Sequence, residues 1–235
     1  MNPEAAIETP ARLRSLGPSD TLTVMPAYEP QVSKKLLQRI DLAGNMHNFV
    51  QASLPQASLL DTDEKQIILA LYSLAAEHHG AILHLLKTGC FDGSAMALTR
   101  PLVDAVYRAL WLHYCGKPSH FQAVREGKDV YPPLPNMADA IEQRADTDGL
   151  FTVLKPFIKT LHGFTHGGLE QLARRFDAEG NVRATYSDDM KIEAINATTG
   201  FLVMLAVAWC LIEAGINPET RSAKIVQRYN ETSWS

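Results

Sequence analysis

The stretch DTDEKQIILALYSLAAEHHGAILHLLKTG, residues 61–89, decides the fold class. Its apolar residues Ile67, Ile68, Leu71, Leu74, Ala75, Ile82, Leu85 and Leu86 recur three and four positions apart. That is the period of one helix face, not the alternation of a strand. Asp61 is placed to cap the orphan backbone donors of the first turn, with Glu64 as its reciprocal partner. Gly89 is the natural stop, because glycine enters the left-handed conformation without a steric penalty. His78 falls on the stripe between Leu74 and Ile82, with Glu77 and His79 flanking it. It reads as a satisfied core histidine, or as a group facing the arginines of a neighbouring helix.

The same period runs outward in both directions. A helix is expected from Val32 to Ala52, another from Asp92 to Tyr114, and shorter ones over 137–147 and 151–176. A long helix opens near Ser187 and ends at Gly215, and a last one starts at Pro218, a good first-turn residue, and ends near Asn230. Pro101, inside the third helix, deletes a backbone hydrogen bond and predicts a kink or restart. Tyr131-Pro132-Pro133-Leu134-Pro135 reads as a stiff connector. No repeat of fixed period occurs. The expected architecture is all-α, an up-and-down helical bundle over residues 32–230. Residues 1–31, with prolines at 3, 10, 18, 26 and 30, form an irregular N-terminal tail or strap.

Composition narrows the function classes. The chain has 235 residues and a formal charge of −4, without the basic excess of a protein that grips nucleic acid broadly. Any contact with RNA or a nucleotide is therefore expected to be local. Cys90, Cys115 and Cys210 are odd in number and widely spaced in apolar contexts, so they read as buried thiols of a cytoplasmic protein. No secretory signal segment is visible. Ala194–Ile212 carries no formal charge and has the length of a membrane span. The polar Asn196, Thr198, Thr199 and Gly200 favour a buried central helix instead, so no membrane partner is expected.

Four polar constellations remain. Arg100, Asp104 and Arg108 lie at i, i+4 and i+8, near Trp111, and read as an ion-pair ladder or as an anion site in which Asp104 orients two guanidinium groups. Arg108 and His113 combine an arginine that stabilises a growing negative charge with a histidine that transfers protons, the needs of metal-independent RNA cleavage. In the run His162-Gly163-Phe164-Thr165-His166-Gly167-Gly168, leading to Gln171, the glycines permit close approach of backbone or ligand around His166. His162, His166 and Glu170 would share a face if the helix were continuous, but the tandem glycine interrupts it. No metal site and no cofactor are expected.

Together, Thr99-Arg100-Pro101-Leu102, Asp104, Arg108, Leu110-Trp111-Leu112 and Thr165-His166-Gly167-Gly168 with Gln171-Leu172 and Arg174-Arg175 resemble an uncharacterised group of bacterial helical proteins. More distantly the arrangement is similar to the HEPN superfamily of helical domains. That resemblance implies a homodimer whose cleft pairs an arginine with a histidine a few residues on, here Arg108 and His113. Two functions follow as expectations. The first is a binding or regulatory module for a nucleotide, RNA or protein partner. Its binding residues would be Arg100, Asp104, His78, Trp111, Gly167, Gly168 and Gln171. The second is a metal-independent ribonuclease of toxin or phage-defence type, with Arg108, His113 and His166 catalytic.

Overall fold

The computed structural model describes residues 32–53, 62–145, 151, 171–172, 174–175, 185–213 and 218–232, and among these all regular structure is helical. The helices are α1 (Lys34–Ser53), α2 (Asp63–Thr88), α3 (Asp92–Cys115), α4 (Pro118–Arg125), α5 (Leu134–Ala145), α6 (Asp188–Glu213) and α7 (Pro218–Glu231). Residues 1–31, and His162, His166, Gly167, Gly168 and Glu170, lie outside the described residues.

Helix α2 begins one step later than the spacing predicts. Thr62 has extended backbone and its hydroxyl accepts from the Lys65 amide at 3.3 Å, so Thr62 rather than Asp61 is the cap. Asp63 and Glu64 then place negative charge at the positive end of the helix. Gly89 ends α2 at φ 70, as its position predicts. The buried face also differs from the expected stripe. Leu74 is 41% exposed whereas His79 is fully buried, and the core column runs Ile68, Tyr72, Ala75, His79, Ile82 and Leu86. Two adjacent columns of α2 are apolar, and packing against its neighbours selects one of them. His78 is consequently not on the core column.

Helix α3 is the centre of the protein. It packs against α2, α5 and α6, and buries residues on most of its circumference, among them Leu102, Val106, Tyr107, Leu110 and Leu112. It carries Pro101 as one uninterrupted helix, with no restart, because contacts on several sides outweigh one lost hydrogen bond. Tyr107 is fully buried, donates to the Phe151 carbonyl at 3.2 Å and meets the rings of Phe151 and Phe201. At the end of α3, a Cβ on Gly116 would collide with the Leu112 carbonyl oxygen and stand 2.8 Å from the Phe121 ring. Gly116→Ala is therefore expected to cost about 2–3 kcal/mol, measured as the shift of a urea unfolding midpoint; a change under about 0.5 kcal/mol would show that the α3–α4 junction yields freely.

Helix α6 is the charge-poor segment. It is long and apolar enough to cross a membrane by length and composition, and 67% of the apolar window is buried inside the protein. Its buried hydroxyls are satisfied within the helix: Thr198 donates to the Ala194 carbonyl at 2.8 Å and Thr199 to that of Ile195 at 2.7 Å. Gly200 faces α7, where the Tyr229 hydroxyl lies 3.3 Å from the position a Cβ would take. Helix α1 packs on α2, α6 and α7. The cysteines correct one expectation: Cys210 is buried and Cys115 half-buried, but Cys90 is exposed in the turn between α2 and α3. A three-residue link leaves too little neighbouring chain to cover it.

Candidate functional site

The N-terminal end of α3 gathers groups from three parts of the chain. Asp92, the first helical residue, is buried and pairs through Oδ2 with Lys191 Nζ at 2.7 Å. Lys191 also lies 3.6 Å from Asp188. The other Asp92 oxygen, Oδ1, is buried without a hydrogen-bond partner among the described residues. A lysine in the first turn of α6 opposes that helix's dipole; the two carboxylates compensate it. Gln171 donates from Nε2 to the Gly93 carbonyl at 3.3 Å. The Arg175 guanidinium lies 2.7 Å from where a Gly93 Cβ would stand, so the bare glycine backbone leaves room for it in this position.

Tyr186 completes the cluster, with its hydroxyl 3.6 Å from the same point. Burial raises its pKa, the positive charges of Arg175 and Arg174 lower it, and Asp92 raises it again. Arg174 is fixed from the other side, its carbonyl accepting from both the amide and the hydroxyl of Thr185. Phe91 and Leu172, each 53% exposed, flank this end of α3. Phe91 occupies the cap position but offers no side-chain cap. Among the described residues Arg175 has no carboxylate partner.

The predicted ladder is not continuous. Arg100 pairs with Asp104 at 3.0 Å, while Arg108 turns away to Asp129 at 4.0 Å and lies over the Tyr131 ring, 4.8 Å from its centre. Tyr131 and His120 both contact the Trp111 ring, and Trp111 is buried. Trp111 thus packs the α3–α4–α5 junction. His113 lies five positions from Arg108 and so on another side of the helix. Its ring meets Tyr114 edge-on, and burial lowers its pKa. Within one chain, Arg108 and His113 do not form a joint site. Gln171 joins the start of α3, about two turns before Arg100.

A second constellation went unnoticed in the sequence. His47 of α1 and His79 of α2 face each other Nδ1 to Nδ1 at 3.0 Å, and His79 Nε2 lies 3.0 Å from the Thr199 hydroxyl of α6. The rings are 6° from parallel with centres 5.2 Å apart, the separation of two imidazoles joined nitrogen to nitrogen in one plane. Burial lowers the pKa of His47. For His79, burial first and then His47 lower it to about 3. His47 sits on the stripe Leu36, Ile40, Ala43, His47 and Val50, so a histidine interrupting helical spacing was the available signal. Among the described residues no three His, Cys, Asp or Glu side chains are grouped to hold a metal ion.

A model for a family of unknown function, DUF6988, matches residues 72–233. The chain belongs to DUF6988. No curated protein and no solved structure matches it. The DUF6988 match begins inside α2 and includes Asp92, Gln171, Arg175, Lys191 and Thr199, whereas α1, with His47, lies before it.

Proposed function

We propose that this chain is a binding module that takes a phosphate-bearing ligand, a nucleotide or an RNA segment, at the N-terminal end of α3. The observation that carries this reading is Arg175, a cation without a carboxylate partner among the described residues, held against Gly93 at the positive end of a long helix. An anion there would meet both the guanidinium and the first-turn amides. Exposed Phe91 beside it supplies a face on which a base can stack. Arg174 adds local charge, in keeping with a chain that has no overall basic excess. The architecture proposed for the whole chain is an up-and-down bundle, distantly of HEPN type.

The test is titration of fluorescent nucleotides and a short 5′-phosphorylated RNA at low salt, for wild type, Arg175→Ala, Phe91→Ala and His113→Ala. Arg175→Ala is expected to weaken binding about tenfold or more, since a hydrogen bond to a charged group contributes about 1.5–3 kcal/mol. Phe91→Ala is expected to lower affinity for nucleotides but not for inorganic phosphate. Equal affinity in wild type and Arg175→Ala, or no binding at all, would overturn the proposal.

The ribonuclease reading keeps one supporting observation: burial lowers the pKa of His113, which favours the unprotonated form a general base requires. It needs Arg108 and His113 from two copies at a dimer cleft. Cleavage of the same RNA in the presence of chelator, lost in His113→Ala, would replace the binding reading by this one.

A further inference from the structure

The buried seam between α1, α2 and α6 has a defined proton count. Thr199 Oγ1 lies 2.7 Å from the Ile195 carbonyl, which can only accept, so the hydroxyl proton is committed there. Towards His79 Nε2, 3.0 Å away, that hydroxyl can then only accept, and Nε2 carries a proton. Neutral His79 therefore has a bare Nδ1. The single proton between the rings belongs to His47 Nδ1, which donates to His79 across 3.0 Å. In-plane alignment at that distance leaves no room for a metal ion between the two nitrogens, whose bonds to zinc are about 2.0–2.1 Å each.

We propose that the His47–His79 pair is a one-proton latch that holds α1 onto α2 and α6, and that acid releases α1 by forcing a second proton between the rings. A proton added to His47 at Nε2 leaves the N–H···N bond intact. A proton added to His79 at Nδ1 sets two N–H groups against each other, and the bond cannot persist. From α2 comes His79 itself; His84 and the Lys87–Asp41 ion pair line the α1–α2 seam farther along, at its exposed end. From α6 comes Thr199, in a stretch from Ala194 to Cys210 without a charged residue. From α7 comes Tyr229, against the neighbouring Gly200. Among the described residues the only ionisable group perturbing His79 is His47, and His47 is perturbed by burial alone, so no carboxylate stabilises an imidazolium at either site. Once α1 lifts away, both rings return to water and titrate near the ordinary value of 6.5. Release therefore takes up protons, and grows easier as pH falls below that value. The latch joins α1, which lies before the family match, to helices within it.

The test uses the full chain with ¹⁵N-labelled histidine. At pH 7 an N–N scalar coupling across the pair is expected, with His79 protonated at Nε2 and His47 at Nδ1. Amide-exchange protection of α1 is expected to fall by up to about a hundredfold per pH unit between pH 6.5 and 4.5, the limit for two protons taken up, ahead of any fall in α3. In His47→Asn, whose side-chain amide nitrogen takes the place of Nδ1 and can still donate to His79 but does not titrate, that slope should drop to about tenfold per unit. No N–N coupling, equal loss of protection in α1 and α3, or an unchanged slope in His47→Asn would each overturn the latch.

Discussion

Replacing Lys191 by methionine is expected to destabilise the protein by about 3–5 kcal/mol, the usual consequence of leaving one buried charge of a pair uncompensated. Asp92 and Lys191 have side chains only 7% and 11% exposed and meet at 2.7 Å. Removing the ammonium leaves a carboxylate whose Oδ1 already lacks a donor among the described residues. Methionine preserves most of the packing volume, so the loss reports charge and hydrogen bonding rather than a cavity. The double variant Asp92→Asn with Lys191→Met is expected to recover at least half of the loss, because neither residue is then charged. Urea unfolding of the two singles and the double closes the cycle. A Lys191→Met cost below about 1 kcal/mol would mean that water reaches Asp92 and that the pair contributes little to fixing α6 on α3. That junction is also the floor of the proposed ligand site, so weaker phosphate binding should accompany the loss of stability.

The second large effect depends on pH. His79→Ala is expected to cost about 3 kcal/mol above pH 7, through the cavity left by a fully buried ring and the acceptor lost to His47. The folded protein holds His79 at a pKa of about 3, against an ordinary 6.5. A depressed pKa means that the unfolded chain binds the proton more readily. Wild-type stability is therefore fully present above pH 6.5 and is lost as pH falls towards about 3, at about 1.4 kcal/mol per unit for this residue. The variant lacks that proton uptake. Its deficit relative to wild type should shrink below pH 6.5 and vanish near pH 4, whatever the carboxylates contribute to both proteins. Denaturant midpoints for the two proteins across this range check the prediction. A deficit that stays constant with pH would show that His79 is as easily protonated folded as unfolded.

Much of the fold was legible because helices announce themselves locally. The stop at Gly89, the start at Pro218 and the extent of α6 from the Ser187 region onward follow from backbone preferences and from a period that any neighbour would respect. The cap of α2 was misplaced by one residue: Asp61 and Thr62 both have suitable side chains, and it is the Thr62 hydroxyl that accepts from the Lys65 amide. The candidate sites were less legible. Arg100 and Asp104 form the pair their spacing implies, because i, i+4 contacts are internal to a helix. Arg108 left that ladder for Asp129 and Tyr131, residues of the α4–α5 connection whose position no local rule supplies.

By itself, then, the sequence determined the helical character of the described residues, the approximate span of the long helices and the family to which the chain belongs, since each depends on periodicity, end signals or residue order. Tertiary structure decided which of two apolar columns of α2 faces inward, and so made His79 rather than His78 the buried histidine. It also decided that Asp92 would meet Lys191 and that Gln171 and Arg175 would reach Gly93. Those choices rest on contacts between residues tens to more than a hundred positions apart, whose energies exist only once the helices have packed.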